Sequence, residues 1–149
     1  MPKASVKRLI ECKKKDLIEL VLDIEKYPEF VPFCYDAKIY ENKNEGNLRK
    51  IIADLTIGKG PFKDTYKSDV VFDKNKDTIF VKNIEGPLNH LSNNWTFIDK
   101  KNGITEITFD IDFEIKNKFL NSLMVVSFQF GLEKIADAFQ KRAEELFGS

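Results

Sequence analysis

The chain has 149 residues, which is enough for one domain with a sizeable core. Its 24 basic and 24 acidic residues balance, so the net charge supplies no long-range attraction to nucleic acid or anionic lipid. The arginines are only Arg8, Arg49 and Arg142, which disfavours a surface that reads phosphates or bases through bidentate hydrogen bonds. We therefore expect no DNA partner.

The beginning of the chain predicts one strand followed by two short helical segments. Residues 4–11 predict the strand, and residues 16–24 predict a helix with an apolar stripe and Asp16 as its N-cap. The Tyr-Pro pair at Pro28 ends that helix or starts the next turn. Residues 29–34 carry large apolar side chains around a proline, which disfavours a central strand and favours a short helix or a loop.

Six further strands are predicted, and short polar turns join them. They cover residues 35–41, 48–57, 62–72, 78–84, 89–98 and 105–115. The last of them is the clearest, because apolar side chains alternate with acidic or hydroxyl side chains along its length. Short turns between successive strands predict an antiparallel meander that has water on one side and a cover on the other.

The segment from Lys118 to Phe147 predicts one long helix that organises the rest of the chain. Its apolar residues recur at steps of three and four: Leu120, Leu123, Met124, Phe128, Leu132, Ile135, Phe139, Ala143 and Leu146. The first half is apolar nearly all round and needs covering on every side, and Gly148 is the expected helix stop. We therefore predict one α+β domain over residues 1–149, a curved antiparallel sheet that grips one helix.

The residues that carry chemistry form no recognisable catalytic or metal-binding set. Cys12 and Cys34 have no metal spacing, so we expect free thiols in a reducing compartment. His90 is the only histidine and cannot supply a multi-histidine metal site. No nucleophile elbow, phosphate loop or dinucleotide fingerprint occurs. We therefore expect no metal and no enzymatic activity.

Three acids share one face of the last strand at a spacing of two residues. They are Asp110, Asp112 and Glu114. A cation site or an acid pair is one interpretation. The favoured interpretation is a solvated strand face, opposed by lysines such as Lys63 and Lys67 on another strand.

The N-terminus shows no apolar signal core, and no run approaches the roughly 18 apolar residues of a membrane span. We expect a soluble, cytoplasmic protein that can touch the inner membrane at its periphery.

Its 13 phenylalanines are many for this length. Composition alone leaves two interpretations of equal weight, namely an apolar ligand pocket and a plain core.

The segment Tyr27 to Cys34, YPEFVPFC, resembles the YPxFVPWC segment of the START-like coenzyme Q-binding proteins, a family that includes the bacterial ribosome association toxin. Further matches follow in register: Ala53–Gly58, Phe62, Tyr66, Ser68, Gly86–Leu88, Leu91, Asn94, Trp95, Phe97, Phe109, Phe113, Glu114, Ala138, Phe139, Arg142, Ala143 and Leu146–Gly148. Each motif alone is weak, but their order and spacing together are specific.

The chain departs from the family pattern at four positions. Phe33 stands where tryptophan is usual, and Leu88 where phenylalanine is usual, which keeps both apolar. Glu85 replaces an aspartate. Lys59 replaces an aromatic residue and puts a charge near the rim of the expected pocket.

The resemblance implies the helix-grip fold of START and Bet v 1-like proteins. It implies non-catalytic binding of coenzyme Q (ubiquinone) or a related polyprenyl lipid in an apolar cavity, in support of respiratory electron transport. Ubiquinone would then be a bound ligand, and we expect no other cofactor. One alternative is a ribosome association toxin that binds the large ribosomal subunit and blocks subunit association. A second alternative is an enzyme of the polyketide cyclase or aromatase type, which shares this fold.

We expect the isoprenoid tail to lie between the sheet and the N-terminal half of the last helix. The predicted ligand-binding residues are Phe30, Val31, Phe33, Leu55, Ile57, Phe62, Tyr66, Leu88, Asn94, Trp95, Leu123 and Phe128. Among them Tyr66 and Asn94, together with Ser68, are the expected polar contacts of the head group. We expect the Phe30–Phe33 segment to form the mouth of the cavity and to rest transiently on a membrane surface.

Overall fold

The protein is described here by a computed structural model, which covers residues 3–59, 61–85, 88–116 and 118–147. Strand β1 (Lys3–Glu11) comes first, and helix α1 (Lys14–Leu22) and a 3-10 helix (Ile24–Glu29) follow it. The next six strands are β2 (Cys34–Glu45), β3 (Leu48–Lys59), β4 (Phe62–Asp73), β5 (Thr78–Glu85), β6 (Leu88–Asp99) and β7 (Ile104–Ile115). The long helix α2 spans Lys118–Phe147, as predicted.

The seven strands form one curved antiparallel sheet. Strands β2 to β7 are neighbours in chain order, and β1 joins the far edge by pairing with β7. Short turns produce this meander, and Gly46 supplies the left-handed backbone (φ 62°) that the β2–β3 turn requires. Both the α+β class and the helix-grip arrangement are confirmed.

The predicted alternation of apolar and polar side chains sets which face of the sheet is buried. In β7 the buried side chains include Thr105, Ile107, Phe109 and Phe113, whereas the residues between them are more exposed. Trp95 pairs with Phe109 across the β6–β7 ladder, and both point to the inner face. The inner face therefore carries the core, and the outer face carries the charged residues.

Helix α1 lies against the inner face and contributes five buried apolar side chains. They are Leu17, Ile18, Leu20, Val21 and Leu22. The prediction of Asp16 as N-cap is wrong, because the helix starts at Lys14 and Lys13 is its N-cap, without a side-chain hydrogen bond. Asp16 lies in the first turn, where its negative charge suits the helix dipole. Pro28 lies within the 3-10 helix that follows.

The C-terminal half of α2 packs across the sheet with one face. Leu132, Phe139 and Ala143 are buried on this face, which agrees with the predicted stripe. Leu146 was predicted in the same stripe but is exposed, because the helix there extends past the packed region. The side chains of residues 119–129 lie outside the described part, as does Gly148.

The acidic face of β7 has a different set of partners from the predicted one. Strand β7 lies between β1 and β6, so Lys63 and Lys67 of β4 do not oppose it. Lys3 lies 3.9 Å from Asp112, and His90 of β6 lies 3.6 Å from the same carboxylate. The acids are half-buried rather than fully solvated, and one carboxylate oxygen of Asp112 is buried without a hydrogen-bond partner among the described residues. The lysine beside Asp112 comes from β1.

Candidate functional site

Two apolar clusters divide the inner face of the sheet. The larger one joins the sheet, α1 and the C-terminal half of α2. The smaller one contains Leu91 and Phe113, with Tyr66 and Ile111 packed against them. It lies towards the end of β7 from which the chain passes into α2. The smaller cluster therefore includes a residue, Phe113, that lies five residues before the start of α2 in the sequence.

A chain of aromatic rings closes the larger cluster. The ring of Phe139 on α2 lies 5.2 Å from that of Trp95 and 5.1 Å from that of Phe30. Trp95 also lies 4.3 Å from Phe109. Such edge-to-face and tilted pairs add roughly 0.5–1.5 kcal/mol each beyond burial. Phe30 and Trp95, both predicted to line a cavity, are here part of a closed core.

The space left inside this core is small. A cavity of about 10 Å³ lies among Val6, Trp95, Phe109, Ile135 and Phe139. That volume suits about one water molecule and no lipid tail. A second concavity of about 460 Å³ lies on the outside of α2, but charged and polar side chains line it. Neither space in the described part of the chain fits an apolar ligand.

The loop after the 3-10 helix joins the end of the sheet to α2. Phe33 adopts a left-handed backbone conformation (φ 69°), and its carbonyl accepts a hydrogen bond of 3.0 Å from the Gly58 N–H. A Cβ placed on Gly131 would lie 3.9 Å from the Phe33 ring, so the ring packs on the helix at this glycine. Val31 packs against the larger cluster. The loop therefore bridges β3 and α2.

An ion pair holds the start of this loop. The Arg142 guanidinium donates a hydrogen bond of 2.9 Å to the Glu29 carboxylate and lies 5.2 Å from the centre of the Phe30 ring. Phe30 is thus enclosed between Phe139 and Arg142. This enclosure explains why the segment's first phenylalanine is packed inside rather than free at a mouth.

Tyr66 is the polar residue of the smaller cluster. Burial raises the pKa of its hydroxyl above the ordinary range, with a smaller contribution from the nearby Cys34. No described residue forms a hydrogen bond with this hydroxyl. Leu55, another predicted ligand-binding residue, pairs with Tyr66 across the β3–β4 ladder and packs against the larger cluster. An apolar surface with one available hydroxyl is what an amphiphilic ligand requires.

The structure contradicts two of the three predicted head-group contacts. Ser68 is fully buried, and its hydroxyl donates to the Ala53 carbonyl at 3.2 Å, so it has no donor left for a ligand. Asn94 pairs with Asp110 on the outer face of the sheet, opposite to Trp95. Strict alternation along β6 turns Asn94 away from the inner face.

Asn93 occupies the inner-face position that was assigned to Asn94. Its side-chain amide donates to the Asp110 carbonyl at 3.2 Å, and its oxygen accepts the Trp95 indole N–H at 2.6 Å. The sequence held the signal for this residue, because an inward Trp95 places position 93 on the same face. Asn93 orients the indole of Trp95.

The remaining predicted residues lie at the end of the sheet or outside the described side chains. Ile57 pairs with Cys34 at the end of β3 and is partly exposed. The backbones of Phe62, Leu88, Leu123 and Phe128 belong to β4, β6 and α2, but their side chains lie outside the described part. Burial raises the pKa of the Cys34 thiol, next to this group, to about 11.

Among the described residues, no three histidine, cysteine or acidic side chains converge on a common metal position. In the same part of the chain, neither helix has the length and apolar character needed to cross a bilayer.

Comparisons with known proteins place these features in context. Residues 13–140 match the family model described as polyketide cyclase, dehydrase and lipid transport. The chain is 32% identical over 142 residues to the ribosome association toxin RatA of Rickettsia prowazekii, covering 93% of this chain and 94% of that protein. It is 32% identical over 134 residues to the mitochondrial coenzyme Q-binding protein COQ10 of Dictyostelium discoideum, covering 87% of this chain and 63% of that protein.

The fold has close counterparts among solved structures. A START superfamily protein from Mycobacterium smegmatis superposes with a TM-score of 0.82 at 19% identity, covering 97% of this chain and 98% of that one. At that identity the likeness concerns the fold alone.

Proposed function

Because the chain belongs to the polyketide cyclase, dehydrase and lipid transport family, we propose that it binds coenzyme Q or a related polyprenyl lipid and carries it without catalysis. Its likeness to COQ10, whose name states coenzyme Q binding, supports this choice of ligand. The ligand exchanges with a membrane and supports respiratory electron transport. The tail lies between the inner face of the sheet and the N-terminal half of α2.

The Tyr66 hydroxyl is the observation that carries the proposal. It lies in an apolar cluster with Leu91, Ile111 and Phe113, and no described residue takes its hydrogen bond. Burial of the ring raises the pKa of this hydroxyl, so the group remains a hydrogen-bond donor. A quinone carbonyl accepts such a bond, and the surrounding side chains suit the attached tail.

The buried polar groups favour binding over catalysis. The buried polar side chains in the described part are Ser68, Asn93 and Thr105, and each of them forms a hydrogen bond with a backbone carbonyl. General acid–base catalysis works best with a group whose pKa lies near the working pH, whereas burial raises the pKa of Tyr66 away from it. A lipid site has no such need.

Tail burial alone does not explain transfer from a membrane. Each buried CH₂ is worth about 0.8 kcal/mol relative to water, but a bilayer offers the same gain. A carrier therefore needs a site close to balance with the bilayer and a polar contact that favours the quinone head. The Tyr66 hydroxyl supplies that contact.

A ligand titration tests the proposal. The protein is held in mild detergent, and the melting temperature is measured with increasing decylubiquinone, using decylbenzene as a control that lacks the carbonyl groups. At a ligand concentration of 100 times Kd, mass action predicts about 2.7 kcal/mol of stabilisation. We expect the quinone to raise the melting temperature more than decylbenzene does. An unchanged melting temperature with both compounds contradicts the proposal.

Ribosome association is the second candidate function. The similarity to the toxin RatA extends over 94% of that protein, which is the observation in its favour. The balanced charge and the three arginines weigh against it, because binding to RNA draws on phosphate neutralisation. Sedimentation with purified large ribosomal subunits distinguishes the two functions. Binding that weakens with salt, without any quinone response, favours the toxin-like function.

A further inference from the structure

The loop between the 3-10 helix and β2 contains a residue with a strained backbone. Phe33 has a left-handed backbone conformation (φ 69°), which bulky residues rarely adopt. Asp77 and Asn102 also have such a backbone, and both lie in connections between neighbouring strands. Asp and Asn tolerate this conformation in turns, whereas a phenylalanine does not. Contacts with the rest of the protein must therefore hold Phe33 in place.

Phe33 is held from two sides. Its carbonyl accepts a hydrogen bond of 3.0 Å from the N–H of Gly58 on β3. Its ring faces Gly131 on α2, where an added Cβ would lie 3.9 Å from the ring. The loop therefore spans from the sheet to α2 through a residue that is itself only half-buried.

The end of the loop lies beside the Tyr66 hydroxyl. Cys34 pairs with Ile57 on β3, and Tyr66 pairs with Leu55, two positions away on the same strand. Residues two positions apart share a face of the sheet, and here it is the inner face. The Cys34 thiol is close enough to Tyr66 to add to the raised pKa of the hydroxyl, after the larger effect of burial. The span between β3 and α2 therefore borders the smaller apolar cluster.

The two ends of the loop are fixed, and its middle is not. At the start, the ring of Phe30 packs on α2 and Val31 packs against the larger cluster. At the end, Cys34 begins β2. Between them, opening would cost one hydrogen bond and one ring contact, and it would relax the backbone of Phe33. A strained residue held by few contacts is typical of a segment with two arrangements of similar free energy.

We propose that Pro32 and Phe33 form a lid that closes the gap between β3 and α2 beside the Tyr66 hydroxyl. The identity of what passes under the lid rests on the proposed function, in which opening admits the polyprenyl ligand and closing covers it. The opening itself follows from the contacts of Phe33 and is measurable without a ligand. When the lid opens, the Phe33 ring leaves α2 and uncovers the Cys34 thiol, which is 8% exposed in the closed state.

Thiol labelling measures the opening. The protein is alkylated with iodoacetamide under native conditions, and mass spectrometry follows the rate at each cysteine. Cys12 is buried in the larger cluster, away from the lid, and serves as the internal control. We expect Phe33→Ala to label Cys34 about tenfold faster, because the ring contact that favours the closed state is lost. We expect Gly131→Ala to label Cys34 about threefold more slowly, because the added methyl group gives the Phe33 ring a further contact.

Ligand exchange provides the second measurement. Quenching of the only tryptophan, Trp95, follows the uptake and release of decylubiquinone in a stopped-flow experiment. We expect Phe33→Ala to raise both rates by similar factors and to change Kd little, whereas loss of a direct ligand contact raises the release rate alone. Phe80 is exposed on the outer face of β5, so Phe80→Ala is the matched control and should alter neither rate.

The results distinguish the lid from the proposed function. Equal labelling of Cys34 in the wild type, Phe33→Ala and Gly131→Ala overturns the lid, whatever the protein binds. Equal acceleration at Cys12 and Cys34 also overturns it, because that result means a general loosening of the fold. Faster release with unchanged uptake makes Phe33 a ligand contact instead of a lid residue. The expected labelling in a protein without any response to decylubiquinone supports the lid and contradicts the proposed function alone.

Discussion

Tyr66 combines an apolar environment with a hydrogen-bond donor. Because burial raises its pKa, the hydroxyl stays protonated throughout the physiological range. It can therefore donate to a carbonyl oxygen at any pH at which the protein is used. This single group gives the apolar cluster of Leu91 and Phe113 its polar specificity.

Removal of the Tyr66 hydroxyl should weaken quinone binding without harm to the fold. We expect Tyr66→Phe to lower the affinity for decylubiquinone about threefold to tenfold, which is the worth of one neutral hydrogen bond. The melting temperature without ligand should change little, because the substitution keeps the ring and the Tyr66 hydroxyl is not among the buried side-chain atoms left without a partner. Thermal titration measures both quantities.

Tyr40 offers the matched control for this variant. It is exposed, and its hydroxyl donates to Asp54 on the outer face at 2.7 Å. Tyr40→Phe should leave quinone affinity unchanged. Equal affinities of Tyr66→Phe and the wild type would remove Tyr66 from the site.

The two cysteines predict a loss of stability at alkaline pH. Burial raises the pKa of the Cys12 and Cys34 thiols to about 11, whereas an unfolded thiol ionises near 8.5. Above about pH 8.5 the unfolded chain releases protons that the folded chain keeps, so the free energy of unfolding falls as pH rises towards 11. Below pH 8.5 both states are protonated, and the thiols add no pH dependence.

Melting temperatures between pH 7 and pH 10 measure this effect. We expect a decline above about pH 8.5 that is shallower in the double variant Cys12→Ser and Cys34→Ser. The comparison uses the slopes, because the substitutions also change the core. Identical slopes in the two proteins would show that the thiols are not responsible.

The two halves of helix α2 lie in different surroundings. Its C-terminal half closes the core through Leu132, Phe139 and Ala143. Its N-terminal half follows directly from the end of the sheet that carries Tyr66 and Phe113. The C-terminal half therefore sets stability, and under the proposed function the N-terminal half covers the ligand.

Loss of the central ring of α2 should destabilise the protein strongly. Phe139 contacts Trp95, Phe30 and Tyr27 through edge-to-face pairs. We expect Phe139→Ala to lower the free energy of unfolding by about 3–5 kcal/mol, as for other buried phenylalanines. Urea unfolding measures the change. Phe147 is partly exposed near the end of the same helix, so Phe147→Ala should change stability by only about 0.5 kcal/mol.

The order and type of the elements followed from the sequence, because alternation and helical periodicity are local patterns. The bounds of α2 and the inner face of β7 were both predicted in this way. The start of α1 was predicted wrongly, because Asp16 is a good N-cap residue but the helix begins two residues earlier. The free energy gained from a preferred N-cap residue is small compared with the free energy gained by burying the apolar face of the helix.

The site was harder to predict than the fold. Trp95 was placed on the correct face, but only the position of Phe139 shows that it belongs to a closed core. Asn94 was taken from the family motif, although the alternation around Trp95 already turned it outward. The contact of the Phe33 ring with α2 at Gly131 joins segments that are far apart in the chain, and no local pattern specifies it.

At the scale of the whole molecule, the core that the structure describes leaves almost no internal space. The closed core lies between the sheet, α1 and the C-terminal half of α2, with room for about one water molecule. The smaller cluster lies on the inner face at the end of β7 from which the chain passes into α2. Under the proposed function, a ligand at the smaller cluster would exchange with a membrane without opening this core.

Extraction of the freshly purified protein with organic solvent, followed by lipid mass spectrometry against a buffer blank, tests the central claim most directly. The account predicts a quinone or another polyprenyl lipid at about one molecule per chain, and less of it from Tyr66→Phe. The contradicting result is a protein without polyprenyl lipid that also shows no thermal response to decylubiquinone and sediments with the large ribosomal subunit.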